Sequence, residues 1–129
     1  MGKLVSLEEL ASISAQLKKE GKTIAHCHGC FDLMHPGHIK HFQSAAKAAD
    51  VLIVTVTQDK FVNKGPGRPV FNEQIRAESI ASLECVAFVA VNKWPTAIET
   101  INLLKPNFYV KGPDYKVRSN DVTNNIGLE

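Results

Sequence analysis

Two histidines three residues apart, His35 and His38, bracket Pro36 and Gly37 in the run Gly29-Cys30-Phe31-Asp32-Leu33-Met34-His35-Pro36-Gly37-His38. Imidazoles so spaced suit the binding of phosphoryl oxygens, because each ring can donate a hydrogen bond. Upstream, Thr23 to His28 reads as a short buried strand. Downstream, Ile39, Phe42, Ala45, Ala46 and Ala49 recur at helical spacing. The pair therefore falls at a helix start, where unpaired backbone N–H groups and the positive end of the helix dipole favour an anion. Pro36 fits the first turn, and Gly37 lets a phosphate approach the backbone closely. Taken alone, the same residues also describe an ordinary turn with exposed polar histidines.

Other chemistry is less supported. Cys27-His28-Gly29-Cys30 has C-x-x-C spacing but no second ligand pair, which reads as buried thiols and not as a zinc or redox site; no metal ligand set is assigned. Gly65-Pro66-Gly67 lacks the third glycine and the preceding strand turn of a dinucleotide fingerprint, and no Walker A lysine motif is present.

The elements that must position these residues alternate along the chain. Ser6 and Glu9 have capping-box spacing ahead of Leu10, Ile13 and Leu17, with Gly21 as the stop. After the first strand come a helix from about Pro36 to Ala49, a strand at Val51 to Thr57, and a loop containing Gly65, Pro66, Gly67 and Pro69. A helix from about Asn72 to Leu83 and a strand at Val86 to Val91 follow. Thr96 and Glu99 again have capping-box spacing, opening a helix that ends before Pro106, and Asn107 to Lys111 is a fourth strand. Strands separated by helices argue for an α/β, doubly wound parallel sheet with ligands at the carboxyl ends of its strands.

Composition agrees with one compact domain. The chain has 129 residues, 44% hydrophobic and 22% charged, enough for one core and too few for a second. A net charge of +2 is too small to argue for nucleic acid. No apolar run is long enough to span a bilayer, no signal-peptide pattern opens the chain, and three cysteines cannot all pair, so the cytoplasm is the expected location.

The segment G-C-F-D-L-x-H-P-G-H resembles the signature of the cytidylyltransferase-like nucleotidyltransferases. The resemblance continues through Val51 to Thr57, Lys64-Gly65-Pro66-Gly67-Arg68-Pro69-Val70, Asn72 to Cys85, and Val110-Lys111-Gly112-Pro113-Asp114-Tyr115. It implies a Rossmann-like fold of the H-x-G-H type. It also implies a reaction in which an acceptor phosphate attacks the α-phosphorus of a nucleoside triphosphate, ATP or CTP, and releases pyrophosphate. By the same resemblance His35, His38 and Lys64 are catalytic. Gly29, Cys30, Phe31, Lys111, Gly112 and Asp114 bind the nucleotide alongside the two histidines. Arg76 and Trp94 are expected to bind the acceptor, or else to be an exposed helix arginine and a core tryptophan; Asp32 either joins them or caps the turn. Mg²⁺ is implied by the triphosphate.

The K-G-P-G-R-P stretch followed by N-E-x-x-R is most similar to enzymes that activate sugar phosphates, the heptose-phosphate adenylyltransferase kind of lipopolysaccharide assembly. The alternatives are a glycerol-3-phosphate-type cytidylyltransferase and a non-catalytic nucleotide-binding module. Related enzymes are usually homodimers, and Val86 to Val91, apolar on both faces, is the expected contact. Two departures from the family pattern stand out: Ala87 replaces a common aspartate, and the family's later Ser/Thr-rich segment does not appear before Glu129, so a longer chain is expected.

Overall fold

In the computed structural model, residues 3–62, 65–110 and the backbone of 116–118 are described. Helix α1 (Leu7–Lys19) opens on the expected capping box: Ser6 Oγ accepts from Glu9 N–H at 3.0 Å and Glu9 Oε1 accepts from Ser6 N–H at 3.1 Å. It closes with Gly21 at φ +78°, as Gly21 N–H reaches Lys18 O and Lys22 N–H reaches Leu17 O. That paired closure needs a left-handed residue, which glycine supplies without a Cβ clash.

Strand β1 (Ile24–Gly29), helix α2 (Pro36–Lys47), strand β2 (Val51–Val56), helix α3 (Glu73–Ala81), strand β3 (Phe88–Val91), helix α4 (Ile98–Leu104) and strand β4 (Phe108–Val110) follow in the expected order. A short 3₁₀ turn over Asp59–Phe61 and a fifth strand, β5 (Lys116–Arg118), were not foreseen. The sheet order is β3-β2-β1-β4-β5, with β5 alone antiparallel. The connection order reverses between β1 and β4, which is where open α/β sheets bind ligands beyond the strand carboxyl ends.

Alternation along the strands divides the core in two. Ala25, Cys27, Leu52, Val54, Val56 and Val89 pack on one face with Phe42 and Ala45 of α2 and Ala77 and Ile80 of α3. Ile24, Ile53 and Ala90 pack on the other with Leu7 and Leu10 of α1 and Leu104 of α4. Trp94 joins this second face. Among the described residues no helix is long and apolar enough to cross a membrane.

Two expectations are corrected. Strand β3 begins at Phe88 and has little apolar surface left for a partner: Val89 and Ala90 are buried inside the chain, and the strand's free edge is taken by the N-terminal segment, where Val5 N–H donates to Val89 O and Val89 N–H to Lys3 O, both at 2.9 Å. The capping box at Thr96 and Glu99 does not form. Helix α4 starts one residue later, behind Ala97 with no side-chain cap. The turn is held instead by buried Asn92, whose Nδ2 donates to Trp94 O at 2.8 Å and Thr96 O at 3.0 Å while its Oδ1 accepts from Thr100 Oγ1. An interior amide reaching two loop carbonyls outcompetes an exposed cap, since buried carbonyls without donors are costly.

Asn92→Ala should therefore lower stability by about 2 kcal/mol, whereas Thr96→Ala should change it by less than about 0.5 kcal/mol. Urea denaturation of the two variants checks the order.

Candidate active site

The carboxyl edge of β1 leads through residues 30–35 into α2, and His35 is the residue that caps this helix. Its Nδ1 accepts from Gly37 N–H at 3.0 Å, and His38 Nδ1 accepts from His35 N–H at 3.1 Å. This is a capping box in which imidazoles replace the usual hydroxyl and carboxylate. A nitrogen that accepts a hydrogen bond carries no proton, so each neutral ring holds its hydrogen on Nε2. The two rings lie 4.1 Å apart between centroids. They form a pair of Nε2–H donors at the positive end of α2.

The expectation that free backbone N–H groups mark this helix start changes accordingly. The backbone N–H groups of His35 and Gly37 are taken by the imidazoles, so the hydrogens of this helix start lie on the ring nitrogens and not on those two amides. Gly37 also has a different cause: a Cβ there would come within 2.7 Å of the His35 ring, so its hydrogen is what lets His35 fold over the helix start. Gly29 is equally constrained, because a Cβ would meet the Phe31 ring at 2.9 Å.

Phe31 itself adopts φ +52°, a left-handed conformation that costs a non-glycine residue about 1–2 kcal/mol. Its ring is held by edge contacts with Phe42 at 5.0 Å and His38 at 5.8 Å. The aromatic side chain thus braces His38 from the core, and only its backbone neighbours Gly29 and Cys30 line the strand end.

Asp32 and Arg76 are committed to the protein. Asp32 is buried, and its carboxylate accepts from Arg68 Nε at 2.7 Å, Val70 N–H at 2.7 Å and Phe71 N–H at 2.8 Å. Burial would raise its pKa, but the N–H groups of Phe71 and Val70 and the Arg68 guanidinium outweigh that and bring the carboxyl down to about 2. Arg76, buried on α3, donates from Nε to Phe71 O at 2.9 Å, from Nη1 to Cys30 O at 2.8 Å and from Nη2 to Asp59 at 2.6 Å. It is not an exposed helix arginine: its guanidinium is spent on these internal acceptors. Trp94 is half-buried against the α1 and α4 core, which leaves it as packing.

Cys27 is buried under α2, 3.7 Å from His41 Nε2, and burial, with Cys85 nearby, pushes its thiol up to about 12. That makes it an inert core residue. Lys64, Lys111, Gly112 and Asp114 lie outside the described residues.

One polar group escaped sequence reasoning. His26 and His28 alternate on the α1 and α4 face of β1, and both rings meet Thr55 of β2: His26 Nε2 at 2.7 Å and His28 Nδ1 at 2.9 Å from its Oγ1. The signal was present as two histidines at strand period in an apolar run, but their shared partner comes from another strand.

A family model described as cytidylyltransferase-like matches residues 26–127. The Bifunctional protein HldE of a Nitratiruptor species is 42% identical over 126 residues, covering 94% of this chain and 27% of that protein. The protein of the same name from Syntrophotalea carbinolica is 39% identical over 110 residues, covering 84% and 22%. The chain spans about a quarter of the length of these curated relatives. Among solved structures, the lipopolysaccharide core biosynthesis protein from Thermoplasma volcanium superposes with a TM-score of 0.69 at 26% identity, covering 84% of this chain and 88% of its own.

Removing the Arg76 guanidinium leaves the Cys30 and Phe71 carbonyls without donors. Arg76→Ala should cost about 3 kcal/mol in thermal or urea unfolding. Because the folded Asp32 carboxyl sits at about 2, below its ordinary 3.8, its contribution is complete above pH 4 and lost as pH falls toward 2. In an acid titration followed by circular dichroism, Asp32→Asn should therefore show a smaller loss of stability across that window than the parent chain.

Proposed function

The chain belongs to the cytidylyltransferase-like family, and on that premise we propose that it transfers a nucleoside monophosphate from ATP or CTP to a phosphorylated sugar or polyol, releasing pyrophosphate. The observation that carries this reading is the pair of Nε2–H donors fixed by His35 and His38 at the start of α2, at the end of the sheet where the strand order reverses. Donors aimed in advance at a place where negative charge grows need no reorganisation during reaction. A sugar phosphate as acceptor is supported by the solved relative named as a lipopolysaccharide core biosynthesis protein.

An oxygen of the acceptor phosphate, already ionised near neutral pH, forms the new bond to the α-phosphorus. The bond from that phosphorus to the bridging oxygen breaks, and its electron pair leaves with pyrophosphate. No strong general base is needed, so the protein's work is positioning and charge stabilisation. His35 and His38 hold phosphoryl oxygens by neutral donors, and Lys64 adds a positive charge to the same phosphates. Bound to the triphosphate, Mg²⁺ would supply further neutralisation.

The reading includes pairing of two copies. With β3 covered, Leu33, Val70, Phe71 and Ile75 are four of the five large apolar side chains exposed among the described residues, the other being Leu103 on α4, and Val70 and Phe71 are tied to the Asp32 carboxylate. They adjoin a hollow of about 190 Å³ lined in part by Met34, Phe71 and Ser79. Exposed apolar clusters of this kind mark association surfaces.

Pyrophosphate release, measured for ATP and CTP against a panel of sugar and polyol phosphates including glycerol 3-phosphate, tests the activity and selects the substrates. His35→Ala and His38→Ala should each lower turnover by about 10²–10³ with the fold intact; near-normal turnover in either folded variant would overturn the assignment. Nucleotide binding without pyrophosphate release under every pairing would favour a binding module. Light scattering should give twice the chain mass, reduced to the single mass by Phe71→Glu, and a monomer in the parent chain at micromolar concentration would remove the pairing.

A further inference from the structure

The hydroxyl of Thr55 faces two imidazole nitrogens and has one hydrogen to give. Both rings are held neutral. Burial, aided by the nearby His28, pushes His26 down to about 3, and burial pushes His28 down to about 4 against a weaker opposing effect of the Thr55 backbone. Each ring therefore carries one hydrogen of its own; if both donated to Thr55, its hydroxyl hydrogen would be left without an acceptor among the described residues, so the hydrogens run in one direction along His26–Thr55–His28.

Two directions exist. In the first, His26 Nε2–H donates to Thr55, Thr55 donates to His28 Nδ1, and the hydrogen of His28 sits on Nε2. In the second the sense is reversed, and the hydrogen of His26 sits on Nδ1. That Nδ1 is sealed from solvent and has no partner among the described residues. The second direction would bury an N–H with no acceptor, the rarer and costlier defect, whereas the first leaves only a lone pair there. The first direction also gives both rings the Nε2–H form that free histidine prefers. The sheet thus fixes the outer ring, His28, as an Nε2–H donor.

The place of that donor matters. His28 is the penultimate residue of β1, half-buried where His26 is fully buried, and its strand lies between β2 and β4 at the reversal of strand order. His28 sits on the α1 and α4 face, and α2 with its two histidines packs on the other. A ligand lying across the end of β1 would meet donors from both sides. We propose that His28 is a further binding residue, an Nε2–H donor to a hydroxyl or phosphoryl oxygen of the substrate, with Thr55 and His26 behind it as positioning residues that fix its tautomer. This rests on the nucleotidyl-transfer reading for the identity of the substrate, though the tautomer itself does not.

Long-range ¹H–¹⁵N spectra of the whole chain labelled at histidine report each ring's tautomer directly. His26 and His28 should both be neutral Nε2–H at pH 7 without ligand, and an Nδ1–H or protonated His28 would overturn the proposal. Thr55→Val keeps the side-chain shape and removes the relay, so His28 should then show a mixture of tautomers. Separate titrations with Mg²⁺–ATP, Mg²⁺–CTP and glycerol 3-phosphate then identify which source supplies the oxygen. The ligand that shifts His28 Nε2 should bind about three- to tenfold more weakly to His28→Phe and to Thr55→Val, the scale of one neutral hydrogen bond. His28→Asn, which retains an N–H donor, should recover part of that loss. Shifts at His35 and His38 with none at His28, and unchanged affinity in both variants, would overturn the proposal while leaving the nucleotidyl-transfer reading standing. Nucleotide shifts at none of the five histidines would overturn that reading and the proposal together.

Discussion

A guanidinium removed from water has to find acceptors for its N–H groups, and the carboxyl end of this sheet is arranged around the way Arg76 meets that demand. Its acceptors come from three places: the Cys30 carbonyl just past β1, the Asp59 carboxylate just past β2, and the Phe71 carbonyl ahead of α3. Asp32 complements it, taking the N–H groups of Val70 and Phe71 and the Arg68 side chain. Two buried charges of opposite sign thus tie the segment after β1 to the segment before α3. The turn from Cys30 to His35 is held at both its beginning and its middle, which fixes where α2 starts.

From that fixed start the behaviour of the histidines follows. Because α2 begins at Pro36, His35 falls at the cap and His38 three residues on, and each ring turns one nitrogen inward to a backbone N–H. The opposite nitrogen carries each ring's hydrogen. Phe31 holds the arrangement from below in a strained backbone conformation, and Gly29 and Gly37 leave the room that the Phe31 and His35 rings occupy. The same logic governs the other face of β1, where His28 meets the sheet through Thr55. A parallel sheet buried on both sides has few places for polar side chains, and those it admits are ordered by their partners.

Much of this was legible along the chain because its cause is local. Ser6 and Glu9 cap α1 and Gly21 ends it, as their types and spacing predict, since the bonds concerned close within a few residues. The H-P-G-H run marked a helix start, and the alternation of strands and helices gave the parallel sheet. Where local signals competed with interior ones they failed: Thr96 and Glu99 have the right spacing for a cap, yet Asn92 holds the turn from within. The apolar residues of β3 read as an interface because the chain's own cover, residues 3–5 and the helices on both faces, lies far away in sequence.

The sequence by itself determined the elements, the family and the placing of His35 and His38 at a helix start, because periodicity, caps and a short motif are carried by residues near one another. Only the tertiary structure decided what Asp32, Arg76, His28 and Thr55 do. Arg76 meets Cys30 across 46 residues, and His28 meets Thr55 across 27. Such meetings depend on which strand lies beside which and in what register. A side chain's type states how many hydrogen bonds it must make, but strand order and burial choose the partners, and with them the charge and tautomer it presents to a ligand.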